Sequence, residues 1–126
     1  MLRLKRVYEP PSRSDGRRYL VERLWPRGLR KQALALEAWL KEVGPSDRLR
    51  KWFGHDPAKW QRFKEKYFQE LDARPDAWEP IRKSARGRTV TLLFSSHDQQ
   101  HNNAVALKQY LERKSKHRRA ASSHAG

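Results

Sequence analysis

Between Thr89 and Asn103 an apolar run, TVTLLF, gives way to SSHDQQHNN, which gathers hydroxyls, imidazoles, a carboxylate and carboxamides at the mouth of a predicted helix. Ser95 or Ser96 with His101 and Asp98 supplies the residue types of a nucleophile, a base and the group that orients the base. No G-x-S-x-G elbow accompanies them, so the types alone do not define a hydrolase. His97, Asp98 and His101 could be read as metal ligands, but His97 and Asp98 precede the helix and no HExxH-like pattern supports them; no metal is expected. An anionic guest suits the segment better. A helix starting near Asn102 presents unpaired N–H groups and positive dipole, and Arg23 and Arg27 from the segment RLWPRG are able to fork onto a phosphate or carboxylate. The candidate ligand-binding set is therefore Arg23, Trp25, Arg27, Ser95, Ser96, Asp98, His101, Asn102 and Asn103, with His101, Asp98 and His55 as the candidate acids or bases. Each has a plainer role open to it: Asp98 or Asn102 as helix cap, Arg23 as the partner of a buried acid, His55 packed against Trp52 or Trp60.

Such a site requires two strand tips to lie side by side. LRLKRVYE is rich in strand formers and ends at Pro10-Pro11, which cannot continue a ladder. SRSDG has turn chemistry, and YLVERLW follows as a strand whose adjacent Tyr19, Leu20 and Val21 point to burial on both faces. Residues 29–43 fit either a helix, with Leu36, Trp39, Leu40 and Val43 at helical spacing, or a short helix followed by a strand, LEAWLKEV, so that 36–43 is left open between helix and strand. Pro45-Ser46-Asp47 opens a helix with Ser46 as its cap and Leu49, Trp52 and Phe53 on one side. Asp56 caps the clearest helix, with Pro57 in its first position and Trp60, Phe63, Tyr67 and Leu71 forming a core-facing stripe. PDAWEPIRKSA is a shorter helix or turn, TVTLLF a strand, and Asn102 to about Lys114 the last helix, with Ala104, Leu107 and Leu111 inward. Strands alternating with helices imply parallel pairing, and ligands of open α/β sheets sit at the carboxyl ends of the strands. If the 19–24 and 89–94 strands are neighbours, Arg23, Trp25 and Arg27 face the SSHDQQHNN loop across one crevice.

The chain has 126 residues, fitting one domain with a modest core, and its five Trp, four Tyr and four Phe supply the bulk that core needs. Cysteine is absent, which excludes disulfides, thiolate nucleophiles and Cys-ligated metals. No apolar run is long enough to span a bilayer, and the N-terminus lacks the apolar block of a signal peptide; the expectation is a soluble cytoplasmic protein with no membrane partner. The net charge is +15, but its distribution matters more: residues 1–31 hold ten Lys/Arg against three acids, RKSKHRR at 113–119 holds five against none, and 32–112 holds fourteen against eleven. Charge concentrated at chain ends gives salt-sensitive polyanion affinity rather than a built recognition surface. Nucleic-acid association is thus the alternative reading, not the favoured one. The tail 114–126 is basic, then small and polar, and is expected to be disordered.

The combination KRVYEPP, DGRRYLVERLWPRG, GPSDRLRKWFGHDPAKW and TLLFSSHDQQHNNAVALKQYL resembles, over about residues 3–113, the DUF488 domain family in its short YeaO-like bacterial branch. That resemblance implies a single compact α/β domain, with a small, mostly parallel central sheet flanked by helices, and a strand near Leu36 to Val43. It carries over Arg23, Trp25, Pro26, Arg27 and Gly28; Trp52, His55 and Asp56; and Asp98, His101, Asn102 and Asn103. Ser95, Ser96 and His97 match no fixed family position. Some members carry cysteines where this chain has Phe94 and Asn102, so any thiol or metal function of those relatives is out of reach here. The family has no settled activity and implies no cofactor. The reading is a domain for a small anionic or nucleotide-like ligand, with catalysis left open.

Overall fold

The computed structural model describes the backbone of residues 1–125 and the side chains of residues 1–115. Four strands, β1 (Leu2–Arg6), β2 (Arg17–Leu20), β3 (Ala38–Trp39) and β4 (Val90–Phe94), form one sheet in the order β1-β4-β2-β3, every pair parallel. The helices are α1 (Lys31–Leu34), α2 (Asp47–Phe53), α3 (Trp60–Asp72), α4 (Pro75–Ser84) and α5 (Asn103–Ala125), with single 3-10 turns at Arg13–Asp15, Lys41–Val43 and Pro57–Lys59. The last helix, expected to run to about Lys114, continues as α5 to Ala125. The side chains from 116 onward and Gly126, on which the disorder expected of 114–126 mostly falls, lie outside the described residues. None of the helices is long and apolar enough to cross a membrane among the described residues.

β4 occupies the sheet interior, which explains why all five of its residues are buried and why its sequence is a continuous apolar run rather than an alternation. Alternate residues nonetheless serve different faces. Tyr19, Val21, Leu92 and Phe94 join Leu49, Phe53, Trp60, Phe63, Tyr67, Leu71, Trp78, Ile81, Leu107 and Leu111 in the main core beneath α2 to α5. Leu20 and Leu93 point to the other face, where Val7 and Leu34 join them and Trp25, Leu29, Leu36 and Trp39 pack alongside. The stripe Trp60, Phe63, Tyr67 and Leu71 is buried as its spacing predicts.

The opposite face also holds a buried ionic triad. Asp15 accepts from the Arg18 guanidinium at 2.6 Å and from Lys5 Nζ at 3.1 Å. Burial pushes its carboxyl pKa up, but the Ser12 backbone N–H, Lys5 and Arg18 outweigh this and leave it below the usual value. Next to it Gly16 has φ +62°, and an added Cβ would stand 2.2 Å from the Thr89 carbonyl oxygen. Only glycine lets the chain pass there.

Several sequence-based expectations need correction. β2 ends at Leu20, so Val21 to Trp25 leave the sheet and become a loop over the strand tips. Of the two readings open for residues 29–43, the short helix followed by a strand is the one observed: α1, then β3 and a 3-10 turn, in agreement with the strand that the family resemblance implies. Asp56 caps a 3-10 turn that leads into α3, its carboxylate accepting from the Ala58 N–H at 3.0 Å. Trp52 does not join Leu49 and Phe53 inside; it is 37% exposed, with Lys59 and Lys66 ammonium groups over its ring. Ser46 does cap α2, its hydroxyl accepting from the Leu49 N–H and donating to Glu70 on α3.

Candidate functional site

Because β2 and β4 pair directly, Tyr19 opposite Leu92 and Leu20 opposite Leu93, the loops after both strands meet at the carboxyl edge of the sheet. A cavity of about 640 Å³ opens there. Each strand end contributes to it: Arg6 and Tyr8 after β1, Glu22 to Arg27 after β2, Pro45 beyond β3, and Ser95, Ser96 and His97 after β4. Arg50 and Phe53 of α2, His55, Phe63 of α3, and Asn102 and Asn103 at the start of α5 complete the wall.

The loop from Val21 to Leu29 is held by hydrogen bonds within itself and to its neighbours. Trp39 Nε1 donates to the Glu22 carbonyl at 2.6 Å, Arg23 Nε to the Pro45 carbonyl at 2.7 Å, Trp25 Nε1 to the Leu29 carbonyl at 2.7 Å, and the Tyr8 hydroxyl to the Arg27 carbonyl at 3.2 Å. Trp25 also meets Trp39 edge to face, with ring centroids 5.2 Å apart. Non-regular backbone is thereby given fixed partners, as a rigid binding wall requires. Across the cavity Arg6 donates from Nε to the Ser96 carbonyl and from a terminal nitrogen to the Ser95 carbonyl, at 3.0 and 3.3 Å.

Glu22 is the single carboxylate among the described residues lining the cavity. Its two oxygens accept from the Ser95 backbone N–H at 2.7 Å and the Ser95 hydroxyl at 2.8 Å. Burial raises its pKa; the two Ser95 bonds and nearby His55 oppose the shift without cancelling it. His55 lines the cavity with φ +57° and lies 6.4 Å from the Phe53 ring, so its aromatic neighbour is Phe53 rather than Trp52 or Trp60. A non-glycine residue in the left-handed region costs conformational energy that its surroundings must offset.

Of the nine residues assigned to ligand binding from sequence, Arg23, Trp25, Arg27, Ser95, Ser96, Asn102 and Asn103 line this cavity. Asp98 and His101 are not on its wall. His101 Nδ1 lies 2.9 Å from an Asp98 carboxylate oxygen, and the His101 ring meets Trp60 edge-on at 5.3 Å. The other Asp98 oxygen accepts from the Gln100 and His101 N–H groups, and these bonds with the imidazole hold its pKa below the usual value. Ser95 Oγ is engaged by Glu22 and Ser96 Oγ accepts from the Asp98 N–H at 3.1 Å, so neither hydroxyl is bonded to His101 among the described residues. The serine, histidine and aspartate do not assemble into a triad. Asn102 is buried and caps α5: Oδ1 accepts from the Val105 N–H at 3.0 Å and Nδ2 donates to the Asp98 carbonyl at 2.9 Å. Asn103 Nδ2 donates to the Val21 carbonyl at 2.7 Å and so ties α5 to the end of β2.

Sequence reasoning missed Glu22, Arg6, Tyr8, Leu24 and Arg50. For Glu22 a signal existed, an acid set into the apolar segment LVERLW at a strand end. For Arg6 and Tyr8 none did, because nothing local says that β1 pairs with β4.

A family model described as the inactive DUF488-N3 subclade matches residues 1–125. The chain is 40% identical over 110 residues to the uncharacterized protein YeaO of Escherichia coli, an alignment covering 87% of this chain and 96% of that protein. Uncharacterized proteins of Mycobacterium bovis and Mycobacterium tuberculosis are each 36% identical over 110 residues, 87% of this chain and 92% of theirs. No solved structure matches significantly. With a family model spanning nearly its whole length and near-full-length relatives at this identity, the chain belongs to the DUF488 family, in the branch that includes YeaO.

Proposed function

We propose that this protein binds a small anionic ligand in the cavity at the carboxyl edge of its sheet, and that it binds without turning the ligand over. The observation that carries the reading is a charge imbalance in one concave site: Arg6, Arg23, Arg27 and Arg50 line it with Glu22 as the one lining carboxylate, Arg23 and Arg50 also pairing with Glu42 and Asp47 off the wall. Guanidinium groups in a partly desolvated cleft favour phosphate or carboxylate guests by charge-assisted hydrogen bonding. A volume of about 640 Å³ is in the range of small-molecule sites. Two facts favour binding over catalysis. The imidazole–carboxylate pair of His101 and Asp98 stands off the cavity wall, and the matching family model is described as inactive.

The nucleic-acid alternative has less to draw on. Part of the N-terminal basic charge is buried or engaged away from the surface, Lys5 and Arg18 on Asp15 and Arg17 on Ser84, and part lines the cavity.

Calorimetric titration with inorganic phosphate and with sulfate tests the reading. Wild-type protein is expected to bind at least one of them with a dissociation constant in the millimolar range or below, Arg23→Ala or Arg27→Ala to weaken that binding about tenfold, and His101→Ala to leave it unchanged. Absence of binding, or affinity unchanged from wild type in both arginine variants, would overturn it.

A further inference from the structure

Large apolar side chains exposed among the described residues are Met1, Tyr8, Leu24 and Trp52, and two of these, Tyr8 at 44% and Leu24 at 57%, line the cavity. Single exposed apolar residues are ordinary on protein surfaces, but two arriving from different strand tips at one opening form a local apolar patch. Phe53 and Phe63 extend the apolar lining of the same cavity. The patch is also wired to the charge. The Tyr8 hydroxyl donates to the Arg27 carbonyl at 3.2 Å, and the Arg6 guanidinium lies over the Tyr8 ring, 5.1 Å from its centroid. An inorganic anion uses neither the apolar lining nor most of the volume.

We infer that the ligand is an organic anion, a phosphomonoester or carboxylate joined to a flat apolar body of about one or two rings. The arginines take its anionic group, and Tyr8 and Leu24 cover its body. This assignment rests on the anion-binding reading and narrows it to a ligand class. A flat ring fits because aromatic faces stack and release water without the entropy cost of ordering a flexible chain. Glu22 disfavours a second anionic group on that body, since two carboxylates in one cavity repel.

The experiment compares methyl phosphate with phenyl phosphate, which share the anion and differ in the body. Wild-type protein is expected to bind phenyl phosphate about tenfold more tightly, as burial of one ring predicts. Leu24→Ser, at an exposed position where folding is verifiable by thermal melting, is expected to reduce that ratio to about twofold while leaving methyl phosphate affinity in place. Tyr8→Ala, which also frees the Arg27 carbonyl and uncovers Arg6, is expected to reduce the ratio while weakening both esters. Arg27→Ala weakens both esters. Equal affinity of wild-type protein for the two esters, or an undiminished ratio in both apolar variants, overturns the ligand class while leaving anion binding standing. Failure of both esters to bind, or insensitivity of both to Arg27→Ala and Arg23→Ala, overturns the anion reading and this inference with it.

Discussion

Asp15, which is buried, and Glu22, which is partly buried, sit on either side of β2, and their environments push their pKa values in opposite directions. Asp15 has two cations and a backbone N–H on its carboxylate, which keep its folded-state pKa below the 3.8 of a free aspartate. Its contribution to stability is therefore present above that value and is lost as pH falls through the folded pKa. Asp15→Asn should cost about 3 to 5 kcal/mol at neutral pH, because Arg18 is left buried without its counter-charge, and should flatten the loss of stability below about pH 4 in urea unfolding. Glu22 behaves the other way. Burial raises its folded pKa above 4.5, so it favours the folded state below that pH and the contribution fades as pH rises through the folded value. Urea unfolding of Glu22→Gln at a series of pH values is expected to lack that decline. The residue types at both positions were plain in the sequence, but which acid was charged-partnered and which was desolvated was not, since Lys5 and Ser95 reach them from distant segments.

Local signals served well where an element depends only on its own residues. The stripe of α3, the Ser46 cap of α2 and the Asn102 cap of α5 follow from spacing and hydrogen-bonding capacity within a turn or two. They served less well at β2 and at residues 31–43. There the apolar pattern continues past Leu20, but the pairing strand ends in the Ser95-Ser96 loop and the chain leaves the sheet. Two variants test elements directly. Asn102→Ala removes the α5 cap and a buried donor to the Asp98 carbonyl, and should lower stability by about 1 to 2 kcal/mol in urea unfolding. Gly16→Ala forces a methyl group against the Thr89 carbonyl in a backbone region closed to other residues, and a loss of roughly 3 kcal/mol or more is expected from its melting curve.

At the scale of the molecule, the basic N-terminal segment supplies Arg6, Arg23 and Arg27 to the cavity wall. Among the described residues the last buried ones are Tyr110 and Leu111, and the cavity wall includes none beyond Asn103. Removal of 116–126 should therefore change unfolding free energy by no more than about 0.5 kcal/mol and leave phosphate affinity intact, while weakening any binding to polyanions and reducing its salt slope. Composition, the lack of cysteine, the helix stripes, the caps and the family motifs were all set by the sequence read on its own, because each is a property of a residue or of neighbours a few positions apart. The motif pairing of RLWPRG with SSHDQQHNN was legible too, since both segments end probable parallel strands. What only the tertiary structure decided was the strand order β1-β4-β2-β3, which brings Arg6 and Tyr8 to the same opening as Glu22 and Leu24, and the turn of the Asp98–His101 pair away from it. Strand order is chosen by which faces the whole chain can bury at once, and helix-cap geometry by which side chain wins a competition for the same N–H groups. Neither outcome is written in any short stretch of residues.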